Sequence, residues 1–399
     1  MASTVRFMQE EYFPRQKSAI DEFMTATGIQ VKSDFLAVDP FWHDARASFG
    51  DPPTWDLLVS DEAIVAEQMA CGTLEPLGRQ AEASGIDLDS WLPAGIDRFR
   101  NDGELYAIPY VAMSNVLIYR QDILDRYGIT VPSTWDELRS AALNAQAALR
   151  REGIDDVAGF TSRGLAGYGH NFWVVGSTVL PSWGWDWNRG PGEPPLVNQR
   201  EAVDAVDFYA ALLREAGPPN SETLTFTDTH ALYSAGKAVF LLDATTELAT
   251  MRREGPDSAG HASGMTVVPT GPSGRSEPGL YSPSYCIPAS AAAKEDAWSL
   301  LAHLISAKEM ANDTFEGGYA EPPRQPIVES DEYGAAFGEG YQRVILETRA
   351  LARINRPLIP NGFDLGEIVG AAVERVIAGL QTASDALREA QREIDRRSW

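Results

Sequence analysis

Strand-like and helix-like segments alternate along the first third of the chain. Thr4–Met8 is β-like, an amphipathic helix is predicted next, and Gly28 ends that helix before the strand Ile29–Val31. Trp55–Val59 is a further apolar run, and Ser60–Asp61 can begin the helix that follows it. Such alternation is typical of a parallel sheet covered by helices, so the sequence predicts an α/β fold.

Length and charge narrow the class of protein further. The chain has 399 residues, which exceeds the roughly 250–300 at which single cores stop growing, so at least two lobes are expected. The 33 basic and 57 acidic residues give a formal net charge of 33 − 57 = −24, which argues against binding of nucleic acid. No run of the sequence approaches the ~18 apolar residues of a membrane-spanning helix.

Three later segments depart from simple alternation. Residues 102–120 read as a turn and a long apolar strand, and Pro109 within it indicates a bend or a strand that leaves one sheet for another. Thr134–Glu137 is a capping box that opens an Ala-rich helix reaching about Glu152. Residues 159–199 are rich in Gly, Trp and Pro, which suits close backbone approach to a ligand and aromatic stacking.

Motifs for catalysis and metal binding are scarce. The phosphate-binding, nucleophile-elbow and zinc-protease patterns are absent, and the five His residues are scattered. Glu10 and Glu11 are adjacent acids, but paired catalytic acids normally come from separate elements. Cys71 and Cys286 fit no metal or redox spacing, so a disulfide and two free thiols are both open. We expect no cofactor, no metal and no catalytic residue.

Several segments together resemble the extracellular solute-binding proteins of ABC transporters, in the sugar-binding family that includes maltose-binding protein. The most specific match is Asp102–Pro109 followed by Leu117–Arg120 and Gly128–Leu138. The remaining matches spread over nearly the whole chain and comprise Thr27–Val31, Asp56–Leu58, Gly72–Leu77, Ala235–Ala238, Val268–Pro272 and Ala386–Ala390. Arg163–Asn171 resembles the Arg-Gly-x-x-Gly-x-x-x-Asn loop of members that bind polyols, small sugars or glycosides.

The resemblance implies a two-lobed periplasmic-binding-protein fold of the type II kind, with a hinge and a ligand cleft between the lobes. It implies capture of a small sugar, polyol or glycoside by hinge closure and delivery to the membrane permease of an ABC importer. The acidic residue common after the hinge proline is replaced here by Met113–Asn115. Gly366–Glu367 stands where an aromatic residue often stacks on the ligand, which argues against a long maltodextrin.

The resemblance also gives boundaries and a location. Pro109 and Asp243 each end or bend a strand, so we expect lobe 1 to comprise residues 1–110 and 245–305 and lobe 2 to comprise 113–243 and 306–399. The hinge is then predicted near 109–115 and 242–246. With its export signal removed and Met1 in its place, the chain is expected to be a monomer in the periplasm, or an extracytoplasmic protein tethered to the membrane.

Candidate ligand-binding residues lie at predicted strand ends or in the glycine-rich loop. Acids there can accept hydrogen bonds from hydroxyls, Trp173 can offer an apolar face to C–H groups, and Arg356 can meet an anionic substituent if the ligand carries one. The predicted set is Gln9, Glu10, Glu11, Tyr12 and Asp61 in lobe 1, Asn115, Gly167, His170 and Trp173 in lobe 2, Asp243 and Tyr281 near the hinge, and Arg356.

Simpler roles and rival functions stay open at this point. Gln9–Tyr12 can be a solvated loop, Asp61 a helix cap, and Arg356 a surface residue; the tryptophans at 183, 185 and 187 can be packing residues. The rival functions are a cytosolic carbohydrate-active enzyme, which predicts turnover, and a ferric-ion binder on the same fold, which predicts a coloured, metal-dependent protein.

Overall fold

The chain divides into two compact units. The structure is a computed structural model that describes residues 4–10, 15–50, 52–187, 195–353, 359 and 361–397. The first unit comprises Met1–Met113, Tyr281–Gln342 and Leu358–Gly362, and the second comprises Ser114–Leu280, Arg343–Pro357 and Phe363–Trp399. Each unit has its own sheet and its own apolar core.

The strands of the described residues are mostly short. They are β1 (Thr4–Glu10), β2 (Gln30–Leu36), β3 (Leu57–Ser60), β4 (Arg100–Asn101), β5 (Glu104–Leu105), β6 (Ile108–Pro109), β7 (Asn115–Arg120), β8 (Ala158–Thr161), β9 (Ala238–Ala244), β10 (Ser263–Val267) and β11 (Ser284–Cys286).

Helices cover the sheets and make up the C-terminal part of the chain. They are α1 (Gln16–Thr27), α2 (Val38–Ala47), α3 (Glu62–Ala70), α4 (Gly78–Ala83), α5 (Pro93–Ile96), α6 (Gln121–Tyr127), α7 (Trp135–Arg151), α8 (His170–Val174), α9 (Leu180–Ser182), α10 (Arg200–Ala216), α11 (Phe226–Ser234), α12 (Thr246–Glu254), α13 (Lys294–Leu304), α14 (Ala307–Phe315), α15 (Gln325–Val328), α16 (Asp331–Phe337), α17 (Glu339–Leu351), α18 (Gly362–Ile377) and α19 (Ala383–Ile394). Val175–Val179 forms a π-helical turn between α8 and α9.

Local signals account for the predicted helix ends. Gly28 ends α1 with a φ of 76°, a conformation that glycine adopts without strain. Asp61 caps α3 by accepting a hydrogen bond from the Ala63 amide. Thr134 and Glu137 form the predicted reciprocal capping box at the start of α7. These three helix boundaries are confirmed.

The sheet of the first unit has the strand order β2-β1-β3-β11-β6. β1 runs parallel to β2 and β3, whereas β11 is antiparallel to β3 and β6. Every residue of β3 is buried, as a strand covered on both faces requires. The predicted alternation of parallel strands and helices is therefore confirmed in this unit, with an antiparallel addition from a distant segment.

The sheet of the second unit has the order β10-β7-β9-β8. β7 is antiparallel to β10 and β9, and β8 is parallel to β9. All seven residues of β9 are buried, including Asp243. Trp185 and Trp187 are also buried, at 3% and 4% exposure, so the packing role is confirmed for these two tryptophans.

Two of the predicted lobe boundaries are wrong. Residues 245–280 belong to the second unit because β10 pairs with β7, and the segment 242–246 lies inside that unit rather than between the two. Residues 306–342 belong to the first unit, where Arg15 contacts Glu309 on α14 and the Arg324 guanidinium lies 4.0 Å from the Trp91 ring centre. The chain passes between units at Met113–Ser114, Leu280–Tyr281 and near residues 342–363.

Both cysteines are free thiols, which resolves the alternative that the sequence left open. Cys71 is exposed, and Cys286 is buried in β11. Burial raises the pKa of the Cys286 thiol, so this side chain behaves as a small core residue.

Candidate functional site in the second unit

The site is built on the carboxyl ends of two parallel strands. β8 pairs with β9 so that Thr161 lies opposite Leu241, and two residues further on Arg163 lies beside Asp243. The Nε of Arg163 donates to both carboxylate oxygens of Asp243, at 3.1 and 3.0 Å, and Nη2 donates to Oδ1. Open α/β sheets bind ligands at this edge, so the ion pair marks the candidate site.

Aromatic rings pack against the guanidinium of Arg163. Its central carbon lies 4.4 Å from the ring centre of Trp173 and 5.2 Å from that of Phe226. The His170 ring stacks on Phe226 with centres 6.0 Å apart. Because a cation over an aromatic face is attracted by the ring, the two rings hold the guanidinium in place. Trp173 was predicted to offer its face to a ligand; in the structure Arg163 lies over that ring.

Asp243 is committed to protein donors. It is 1% exposed, and besides Arg163 it accepts from the Ala244 amide at 2.7 Å and from the Thr229 hydroxyl at 3.4 Å. A carboxylate with this many partners has little capacity left for a ligand hydroxyl. The structure therefore gives Asp243 the role of orienting Arg163.

The glycine-rich loop, which is part of Arg163–Asn171, is hydrogen-bonded to side chains of α18. Gly167, Tyr168 and Gly169 all have positive φ, at 87°, 47° and 75°. The Gly169 amide donates to Glu367 at 3.2 Å, and the Ala166 amide donates to Glu374 at 2.6 Å.

Asn171 and Gly366 fix the same loop. The Asn171 amide group donates to the carbonyls of Gly164 and Gly370, both at 2.9 Å. A Cβ at Gly366 would lie 2.8 Å from the Phe172 ring, so the position where an aromatic residue often stands in the family has no room for one here.

Asn115 lies beside the pair in the sheet, because it is opposite Ala244 in the β7–β9 register. Its Nδ2 donates to the hydroxyls of Ser177 and Thr178, at 3.1 and 2.8 Å. Among the described residues its buried Oδ1 has no hydrogen-bond partner. Asn115 can therefore act as an acceptor for a hydroxyl, at the place where an acidic residue is common in the family.

A chain of charged groups leads from the site toward the surface. Glu247 on α12 is buried and interacts electrostatically with both Asp243 and Arg163. His230 lies between Glu247 and Glu254, and its two ring nitrogens contact one carboxylate each. Burial lowers the pKa of His230, but the hydrogen bonds and charges of the two glutamates outweigh burial and raise the pKa to about 9.

The remaining predicted residues lie in the first unit or outside the described residues. Gln9 is buried at the end of β1, where its Oε1 accepts from Tyr285 at 3.4 Å and its Nε2 has no partner in the described part of the chain. Asp61 is 4% exposed and caps α3. Tyr281 pairs through its backbone with Met113, where the chain passes between the units.

Four predicted residues cannot be placed in this way. Glu10 is the last residue of β1, and its side chain is outside the described part of the structure. Glu11, Tyr12 and Arg356 lie outside the described residues. The structure thus brings Asn115, His170, Trp173 and Asp243 together in one unit, adds Arg163 and Phe226 to them, and places Gln9, Asp61 and Tyr281 in the other unit.

Arg163 belongs to a predicted motif but was not among the predicted ligand-binding residues, and Phe226 and Glu247 were not predicted at all. The signal that could have identified Arg163 is its position two residues after β8, a strand whose carboxyl end lies beside that of β9. Phe226 follows Thr225, which caps α11, but nothing in the local sequence indicates that its ring meets a guanidinium 63 residues earlier.

The described residues contain no group of three or more His, Cys, Asp or Glu side chains that could hold a metal ion. In the same part of the chain no helix has the length and apolar character needed to cross a membrane.

Solved structures of solute-binding proteins share the two-lobed α/β fold of this chain. An ABC transporter solute-binding protein from Agrobacterium radiobacter K84 in complex with ribitol superposes with a TM-score of 0.87, at 24% identity and with 99% and 98% of the two chains covered. One from Agrobacterium vitis S4 with bound D-mannitol gives a TM-score of 0.84, also at 24% identity, over 99% and 98% of the chains.

The sequence belongs to the family of bacterial extracellular solute-binding proteins, which it matches over residues 16–311. The mannitol-binding protein of Pseudomonas aeruginosa is 28% identical over 360 residues, which are 86% of this chain and 80% of that protein. The chain is therefore a solute-binding protein that works outside the cytoplasm, and it is not an enzyme. The family predicted from the resemblance is confirmed.

Proposed function

We propose that this protein captures a small, neutral polyol and delivers it to the membrane permease of an ABC importer, acting as a monomer in the periplasm or tethered to the outer face of the membrane. The observation that carries the proposal is the site of Arg163, Asn115 and the glycine-rich loop, which offers hydrogen-bonding groups on a rigid frame. Polyols bind through many hydroxyls. In a rigid site each hydroxyl that meets its partner stabilises the complex, and a ligand that lacks that hydroxyl leaves a buried polar group unpaired.

Two further observations favour a polyol over a long oligosaccharide. The relative described above is a mannitol-binding protein, and the two solved structures hold D-mannitol and ribitol. In addition, the tight packing of Gly366 against Phe172 excludes an aromatic residue on which a chain of sugar rings could stack. The residues predicted in the first unit, Gln9 and Asp61 among them, also belong to the proposed ligand set.

A thermal-shift screen tests this proposal. The purified protein is heated with D-mannitol, ribitol, D-sorbitol or erythritol, and in parallel with maltose and maltotriose. A ligand at 100 times its dissociation constant adds about 2.7 kcal/mol to the free energy of unfolding, so the true ligand raises the melting temperature clearly. A shift with maltotriose and none with any polyol would contradict the proposal.

Closure of the two lobes on the ligand is a prediction from the resemblance to the family. Small-angle scattering with and without saturating ligand measures it directly, and the same samples report the molecular mass. We expect a smaller radius of gyration with ligand and the mass of one chain in both states. Identical profiles for a ligand that binds tightly would contradict closure from an open form.

A further inference from the structure

Arg163 combines immobility with an unused donor. Its Nε and Nη2 bond Asp243, and its guanidinium lies over Trp173 and Phe226. Its Nη1 has no hydrogen-bond partner among the described residues, and the side chain keeps 12% exposure. The backbone is fixed as well, since the Arg163 carbonyl accepts from the Tyr209 hydroxyl at 2.7 Å. The two N–H groups on Nη1 are thus held at a defined place, and no described residue accepts a hydrogen bond from them.

Gly164, the residue after Arg163, fixes the position of the backbone. A Cβ on Gly164 would lie 1.9 Å from the Ser221 carbonyl oxygen, so the chain passes closer to its neighbour here than any other residue type permits. The amides of Gly164 and Leu165 both donate to the Leu224 carbonyl, at 3.0 and 3.1 Å. The donor therefore sits on a segment that is fixed on two sides.

The positive charge of Arg163 is balanced inside the protein. Asp243, almost fully buried, lies against the guanidinium, and Glu247 interacts with both members of the pair. The next cation, His230, is itself held between Glu247 and Glu254. Because buried carboxylates already offset these cations, the site presents N–H donors without excess positive charge. Such donors suit hydroxyl oxygens and give a carboxylate or phosphate little net attraction.

We propose that Arg163 is a ligand-binding residue that donates from Nη1 to hydroxyl oxygens, and that Asp243 makes the site select neutral polyols over the sugar acids of the same carbon chain. This inference rests on the proposed function and deepens it, because it names the residue pair that discriminates by charge. Arg163 touches the ligand, whereas Asp243 acts through Arg163 as a positioning and charge-balancing residue.

Calorimetric titration with D-mannitol and with its aldonate, D-mannonate, tests the inference. For the unmodified protein we expect D-mannitol to bind more than about 100-fold more tightly than D-mannonate, a difference of the size that follows from an unpaired buried polar or charged group. Asp243→Asn keeps the shape and one acceptor oxygen but removes the balancing charge. It should weaken D-mannitol binding and strengthen D-mannonate binding, so that the ratio of the two falls by at least about ten-fold, or 1.4 kcal/mol.

Arg163→Gln removes the donor and should weaken D-mannitol binding by more than about ten-fold without gain for D-mannonate. If Asp243→Asn alone does not fold, the double variant Arg163→Gln, Asp243→Asn, which removes both charges, takes its place in the test. The double variant should lose affinity for D-mannitol and gain none for D-mannonate. Glu215→Gln is the matched control, since Glu215 accepts from Arg139 in the same two-bonded geometry but at the surface. It should change neither affinity.

Three results overturn the inference, and each is distinct from failure of the proposed function. They are equal affinity of the unmodified protein for the polyol and its acid, unchanged D-mannitol affinity in folded Arg163→Gln, and an unchanged ratio in folded Asp243→Asn. If the unmodified protein binds no polyol at all, the proposed function fails instead, and the inference fails with it.

Discussion

Arg163 and Asp243 are separated by 80 residues in sequence, which is also the separation between the paired residues of β8 and β9, such as Thr161 and Leu241. The ion pair therefore continues the register of two parallel strands beyond their last backbone pairing. A parallel ladder brings equivalent positions of two strands to one edge of the sheet, so the pair follows from the sheet itself. Because the pair is largely buried, removing one partner should strongly lower the free energy of unfolding.

Asp243→Ala should destabilise the protein strongly. The Asp243 side chain is 1% exposed and that of Arg163 is 12% exposed, so removing the carboxylate leaves a largely buried cation without its partner. We expect the free energy of unfolding in urea to fall by about 3 kcal/mol or more. Glu215→Ala breaks a similar pair whose members are about 40% exposed, and it should cost less than about 1 kcal/mol. Equal losses would contradict the account.

His230 gives stability a defined dependence on pH. Its pKa is about 9 in the folded protein and about 6.5 in the unfolded chain, so the native state binds the proton more tightly. Its contribution is complete below about pH 6.5 and is lost as the pH rises through about 9. Burial also raises the pKa of Glu247, so that group acts in the same direction.

The variant His230→Gln isolates this effect. Urea unfolding at about pH 6 and about pH 9.5 should show a smaller loss of stability on going to the higher pH in His230→Gln than in the unmodified protein. His261→Gln is the control, because His261 is exposed and, among the described residues, its ring contacts only the Gly255 carbonyl, at 2.9 Å. An identical pH dependence in His230→Gln and the unmodified protein would show that the carboxylates do not hold the proton.

The structure shows which sequence signals carry to the fold and which do not. Caps such as Thr134–Glu137 depend on neighbours three residues apart, so the sequence alone locates them. The sheet that a strand joins, in contrast, is not decided by residues close to it in sequence. β10 and β11 are similar short apolar runs separated by a Gly- and Pro-rich loop, yet β10 pairs with β7 in one unit and β11 with β3 in the other. The predicted boundary at 242–246 failed for that reason.

The same distinction applies to the site. Strand ends and glycine-rich loops can be found by pattern, which is why Asn115, His170, Trp173 and Asp243 were predicted and lie in one unit. What each side chain does depends on partners far away in sequence. Asp243 has its carboxylate filled by Arg163, and the Trp173 ring supports the same guanidinium. Local pattern therefore selects candidate residues, but it does not show which of them donates a hydrogen bond, which accepts one and which supports a neighbouring side chain.

Asp61 separates a structural role from a binding role. Its carboxylate accepts from the Ala63 amide at 2.7 Å, so Asp61→Ala should lower the free energy of unfolding by about 1 kcal/mol, and Asp61→Asn should restore most of it. The predicted contact with a ligand hydroxyl requires a second loss in Asp61→Ala, of about 1.5–3 kcal/mol in polyol binding. Undiminished affinity with a lowered melting temperature would leave Asp61 as a helix cap.

Gly164→Ala should damage the site through the backbone. The added Cβ would overlap the Ser221 carbonyl oxygen and crowd the Glu222 Cα, and these backbone atoms cannot move aside as a flexible side chain could. We therefore expect the free energy of unfolding to fall by about 3 kcal/mol or more and the polyol affinity to weaken. Gly340→Ala is the matched control because its Cβ would meet nothing within 4 Å and the residue lies in α17. That variant should gain up to about 1 kcal/mol. Similar effects of both substitutions would contradict the packing argument.

Isothermal titration of the purified protein with D-mannitol and ribitol shows whether the chain binds a small neutral polyol. We expect saturable binding of at least one of them, with one site per chain and a low-micromolar or tighter dissociation constant. Maltotriose should give no binding heat at the same concentrations. Saturable binding of maltotriose with no heat from D-mannitol, ribitol, D-sorbitol or erythritol would contradict this expectation.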